Sequence, residues 1–130
     1  MSQQPIELIL VRHLGSRLVV PLFLVNEAGD LVYFNEPAER VLGRRFDEIR
    51  SMPFEEWTTA FAPSTGGQPT PVDELPLVIA LRQRVPAHSR LDIVGGDGVH
   101  RTIEVTAFPL VTPPDRETGA VAMFWEVPSE

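Results

Sequence analysis

Residues 26–43 read NEAGDLVYFNEPAERVLG, and the fold turns on this run. Asn26-Glu27-Ala28-Gly29-Asp30 reads as a tight reversal, with Gly29 suited to a positive φ and Asn26 and Asp30 to local side-chain hydrogen bonds. The apolar run at 22–25 precedes it and the apolar run at 31–34 follows it, so the three together read as a hairpin. Asn35 then suits a helix N-cap, Glu36 and Pro37 suit the first turn, and Gly43 stands where a left-handed C-cap belongs. Two strands therefore lead straight into a short helix.

Working outward, residues 5–19 read as a leading helix that opens at Pro5 and is closed by Pro21. Ile6, Ile9, Leu10, His13, Leu14 and Leu18 recur at helical spacing, with Arg12 and Arg17 to the side. Leu8, Val11 and Val19 widen that stripe beyond one packing face, so the helix is expected to contact two surfaces. On the other side, residues 46–62 (FDEIRSMPFEEWTTAFA) read as short helical turns split by Pro53, and 63–71 (PSTGGQPTP) as a loop. Asp73 is placed as the cap of a helix over 74–84, with Leu77, Val78 and Leu81 on one face and Pro76 in its first turn. After Pro86 the period becomes two. Arg90 to Ile93 alternates, Gly95-Gly96-Asp97-Gly98 turns, and Thr102 to Thr106 alternates back. A loop at 112–118 precedes a last strand at 119–127. Strands grouped on either side of a helical block predict an α+β domain with an antiparallel sheet.

The totals narrow the function. A chain of 130 residues makes one domain and can bury a core without staples. It has no cysteine, which removes disulfides, thiolate metal sites and cysteine nucleophiles and accords with a cytoplasmic setting. Eighteen acidic residues against eleven basic ones give a net charge of -7, a poor match to a phosphate backbone, so no nucleic-acid partner is expected. All the basic residues are arginines, as a GC-rich genome would produce. No segment reaches the roughly 18 to 20 apolar residues of a membrane helix. The first eleven residues contain Glu7 and no base, so they are expected to remain in the mature protein.

The ordered pattern resembles the PAS domain family in its stand-alone, bacterial-type form. Asn26-x-x-Gly29-x-Leu31-x-x-x-Asn35-x-x-Ala38-x-x-x-Leu42-Gly43 looks like that family's first hairpin and short helix. Glu74-Leu75-Pro76-Leu77 with Ala80-Leu81 looks like its connecting helix. Asp97-Gly98, Phe108-Pro109-Leu110 and Gly119-Ala120-Val121 running into Phe124-Trp125-Glu126 follow at matching spacing. The family often has Asp where this chain has Asn26. The resemblance implies a five-stranded antiparallel sheet with helices on one face, enclosing a small cavity. It implies a flanking helix over 1–20 on the other face, a PAS domain over 21–130, and frequent dimerisation through that helix.

Strand parity can be set against that expectation. With Leu91, Ile93, Ile103, Val105 and Ala107 inward, Thr102, Glu104 and Thr106 point outward. On the last strand Ala122 and Phe124 then face in, leaving Val121, Met123 and Trp125 as an apolar outer patch that needs a cover. The wide stripe of the leading helix supplies one. The expected dimer interface is therefore Ile6, Ile9, Leu10, His13, Leu14 and Leu18 with Val121, Met123 and Trp125. The expected pocket is lined by Leu24, Phe46, Trp57, Leu77, Val78, Leu81, Leu91, Ile93, Ile103, Val105 and Phe124.

Chemistry-bearing residues are sparse. His13, His88 and His100 all lie outside the 74–84 helix, where haem-binding members place their iron ligand, and no third ligand joins a histidine pair at metal spacing. Flavin-binding relatives use a reactive Cys and polar inner-sheet side chains, where this chain has Ile93, Ile103 and Phe124. Neither haem nor flavin is expected, nor any metal. Glu55-Glu56, Asp73-Glu74 and Asp47-Glu48 are adjacent pairs whose side chains diverge on a helix, so they make poor acid–base couples. The glycines at 95–98 join two strands, with no helix behind them to present amides to phosphate. Catalysis is not expected, and a small hydrolase or isomerase in the cavity ranks last. The first expectation is a homodimeric sensor binding a small apolar ligand or a separate signalling protein, since no output segment follows Glu130 in the sequence. The alternative is a ligand-free dimerisation or scaffold module with a filled core.

Overall fold

The computed structural model describes residues 19–112 and 116–128. β1 (Leu22–Asn26) and β2 (Leu31–Phe34) form the first hairpin. Its turn is closed on Asn26, whose Oδ1 accepts from the Asp30 amide at 3.0 Å while its carbonyl accepts from Gly29 at 2.9 Å. Gly29 has φ +92°, a conformation that side chains resist, and a Cβ there would press on Phe54 and Leu81. The helix α1 (Glu36–Leu42) follows as the sequence predicts. Asn35 caps it through Oδ1, which accepts from the Ala38 amide, and Gly43 closes it at φ 67° with its N–H donating to the Glu39 carbonyl.

The helical block comprises α2 (Phe46–Ile49), α3 (Phe54–Ala60) after Pro53, a 3₁₀ turn (Val72–Glu74) and α4 (Pro76–Gln83). Asp73 does not cap α4. It lies in the 3₁₀ turn and accepts from Arg82 at 2.7 Å, while the helix begins at Pro76, whose missing N–H and fixed φ suit a first position. Leu77, Val78 and Leu81 are all buried. β5 (Ala87–Val94), β6 (His100–Thr112) and β7 (Arg116–Val127) complete the chain.

With β3 (Ser64–Thr65) and β4 (Gln68–Pro69) the sheet has seven strands in the order β2-β1-β7-β6-β5-β3-β4, every pairing antiparallel. The expectation of five is corrected by β3 and β4, a miniature hairpin inside the segment read as loop. Gly66 and Gly67, both at positive φ, make its turn, and Ser64 pairs with Asp92 to extend the sheet past β5. Two residues per strand are too few to show a period.

Each face of the sheet has its own apolar cluster. On the helix face Phe23, Val25, Phe34, Leu91, Ile93, Ile103, Val105, Ala122 and Phe124 join residues of α1, α3 and α4 in the main core. Opposite lie Leu22, Leu24 and Val121, packed with Val32, Tyr33, Phe108, Leu110 and Met123. Trp125, 43% exposed, and Glu104 pair across β7 and β6 farther along. The expected leading helix, with Ile6, Ile9, Leu10, His13, Leu14 and Leu18, lies outside the described residues. Among the described residues no helix is long and apolar enough to cross a membrane.

Candidate functional site

Strand alternation carries one set of side chains from β1, β5, β6 and β7 toward the helices, and the helices do not fill the space completely. A pocket of about 90 Å³ remains between them. Its sheet wall is Phe23, Leu91, Ile93, Ile103, Val105, Ala122 and Phe124, and its helical wall includes Leu42, Trp57, Phe61 and Leu77. All of these are buried; Pro63, also in the lining, is half-buried and marks the rim.

The lining has almost no polar surface. Thr58 contributes its one side-chain hydroxyl, and that group donates to the Phe54 carbonyl at 2.8 Å. Trp57 spends its indole N–H on the Gly29 carbonyl at 2.7 Å, which fixes the ring at the wall. Phe23 meets Trp57 edge to face with centroids 5.5 Å apart, and Phe54 meets it edge to face at the same distance. The wall is thus aromatic, apolar and held in place.

Of the eleven residues expected at the pocket, Trp57, Leu77, Leu91, Ile93, Ile103, Val105 and Phe124 line it. Val78 and Leu81 are buried in the same core but outside the lining. Phe46 is half-buried beside it, its ring edge to face with Tyr33 and Phe34. Leu24 is a correction: it pairs with Tyr33 and Val121 and belongs to the opposite face. The run Leu22-Phe23-Leu24-Val25 is buried on both faces, so hydrophobicity alone gives it no parity. Phe23, Leu42, Thr58, Phe61, Pro63, Leu75, Pro76 and Ala122 are lining residues the sequence reading missed. For Phe23 the available signal was its neighbour: once Leu24 faces out, Phe23 must face in.

The outer face holds the polar constellation of the fold. Glu104 accepts from Arg90 Nε at 3.0 Å and contacts His88 Nε2 at 2.6 Å, while His88 Nδ1 lies 2.8 Å from the Thr106 hydroxyl. Hydrogen bonding from Arg90, and then from His88, holds the Glu104 carboxyl below its ordinary pKa against the opposing effect of burial. Hydroxyl, imidazole and carboxylate stand in sequence here, but on the face of the sheet away from the pocket. At the β5–β6 turn, hydrogen bonds from Arg101 and from the Val99 amide likewise lower Asp97. Among the described residues no three His, Cys, Asp or Glu side chains gather as a metal site.

The pocket does not fit flavin or haem. The flavin ring system needs far more than about 90 Å³ and needs donors and acceptors that this wall lacks. Haem needs at least as much room and an axial ligand, and there is no His, Cys, Met or Tyr in the lining. His88 and His100 are not in the lining, and His13 lies outside the described residues.

Similar folds are found among solved PAS and LOV proteins. The PAS domain of BvgS from Bordetella pertussis is 13% identical, with 95% of this chain and 87% of that chain covered and a TM-score of 0.63. A LOV protein from Rhodobacter sphaeroides is 16% identical over 91% of this chain and 66% of that one, with a TM-score of 0.71. A PAS domain from a two-component sensor histidine kinase is 13% identical over 94% and 97%, with a TM-score of 0.58. No curated protein matches the chain in sequence. At these identities the likeness to solved structures is one of fold. A family model described as PAS fold matches residues 16–129, nearly the whole sequence. The chain belongs to the PAS fold family.

Proposed function

We propose that this protein is a signalling sensor, not an enzyme, in which a small apolar ligand in the pocket alters the outer face of the sheet. The observation that carries the reading is the way single strands serve both places. On β7, Ala122 and Phe124 line the pocket while Val121 and Met123 belong to the outer apolar cluster. On β1, Phe23 lines the pocket while its neighbours Leu22 and Leu24 belong to that cluster. A ligand that moves one wall therefore moves residues on the far side of the same backbone. It shifts the equilibrium only by as much as it prefers one arrangement over the other.

The outer face is the proposed homodimer surface. The leading segment 1–20, with its stripe of Ile6, Ile9, Leu10, His13, Leu14 and Leu18, is the proposed cover, and 21–130 is the sensory domain. Output then passes to a separate signalling protein by rearrangement of that cover, in a cytoplasmic setting. Sedimentation of the full chain tests this. Leu14→Asp and Trp125→Asp are each expected to weaken the dimer by at least about tenfold, since each places a charge in an apolar contact. An oligomer unchanged by both would remove the outer face from the mechanism.

A further inference from the structure

Three properties of the pocket limit its occupant. The first is size. At about 90 Å³ the space is smaller than the ~150 Å³ apolar cavity known to take benzene, so one ring is the upper bound, and only with some give at the rim. That give is available on one side, at half-buried Pro63. A long acyl chain or a second fused ring would have to project past that rim.

The second is polarity. Thr58 is the one side-chain hydroxyl in the lining and its proton is donated to the Phe54 carbonyl, so a carboxylate on the ligand would enter without a donor, and a neutral polar group would find a single acceptor. The third is the wall itself. Phe23, Trp57, Phe61 and Phe124 all contribute rings, and the indole is pinned to Gly29. Aromatic faces and edges attract another ring in offset or edge-to-face geometry beyond simple area burial.

We propose that the ligand is a monocyclic aromatic hydrocarbon without polar substituents, seated against Trp57 and Phe124 with any alkyl group toward Pro63. This proposal rests on the pocket being a ligand site at all. It ranks fatty acids, aromatic acids and polar cofactors below such a hydrocarbon.

Sealed-cell calorimetry with the full chain tests it, using benzene, toluene, benzoate and decanoate as probes. Benzene and toluene are expected to bind saturably at one site, and benzoate and decanoate at least about tenfold more weakly. Ala122→Leu adds bulk directly to the lining and is expected to weaken benzene by at least about tenfold. Should that variant fail to fold by circular dichroism, Leu91→Phe fills the same space from β5. Tighter binding of benzoate or decanoate than of benzene would overturn the ligand class while leaving the pocket as a site. Binding of benzene unaffected by a folded filling variant would place it elsewhere and overturn the proposal. Binding of none of the four would overturn both the proposal and the ligand-pocket reading beneath it.

Discussion

Gly119→Ala is expected to lower the unfolding free energy by about 3–4 kcal/mol, a large share of the roughly 5–15 kcal/mol of a typical domain. Gly119 has φ +145° and sits opposite Asn26 where β7 begins to pair with β1. A Cβ at this position would lie 2.2 Å from the Val25 carbonyl oxygen, and close to the Asn26 backbone. Backbone cannot step aside as a side chain can. The two strands must part at the point that sets the register of Phe23 against Ala122, both of which line the pocket. Gly66→Ala is the control. It too has positive φ, at 59°, but its surroundings are open, so only the left-handed penalty of about 1 kcal/mol applies. Urea unfolding of the two variants separates crowding from conformation. Equal losses would mean that β1 and β7 are not locked at this pair.

Asn35→Ala is expected to cost about 3 kcal/mol, through hydrogen bonding alone. The side chain is 1% exposed and holds three backbone groups. Its Oδ1 accepts from Ala38 at 3.2 Å, capping α1, and from Leu22 at 2.9 Å, at the entrance to β1. Its Nδ2 donates to the Val20 carbonyl at 2.9 Å. Truncation loses the cap, worth about 1 kcal/mol, and strands the buried Leu22 amide, with a penalty of about 1–3 kcal/mol. Asn35→Ser isolates the two contributions. A serine can cap the helix but is too short to reach back to Leu22, so about 1 kcal/mol should return and the remainder should not. Full recovery would mean that the link to β1 contributes nothing.

Asn35 also shows why so much of this fold was legible in sequence. Turn and cap residues state their conformations locally, and Asn26, Gly29, Asn35 and Gly43 all occupy the positions their chemistry favours. The alternation of Leu91, Ile93, Ile103 and Val105 is similarly explicit, because the opposite side of β5 and β6 is polar there. The failures arise where a pattern is too short or has no contrast. β3 and β4 offer two residues each. The run Leu22-Phe23-Leu24-Val25 is apolar on both sides, so hydrophobicity does not tell that Phe23 faces the pocket and Leu24 the opposite face. Asp73 has the chemistry of a cap, yet Pro76 sets the helix start three residues later. Within the pocket, the strand positions were readable by parity, whereas Phe61, Pro63 and Leu75 reach it through the three-dimensional course of α3, the β3–β4 hairpin and the 3₁₀ turn. No local period reports that course.

Occupancy of the pocket is expected to be felt on the far face of the sheet, and the two tryptophans stand one on each side. Trp57 lines the pocket, and Trp125 lies exposed on the outer face of β7 next to pocket-lining Phe124. The most direct measurement follows both indole N–H resonances of the full chain by NMR during a benzene titration. Both resonances are expected to move, along saturation curves with a common midpoint. A Trp57 resonance that shifts while Trp125 stays still would show a pocket that binds without signalling, and would contradict coupling across the sheet.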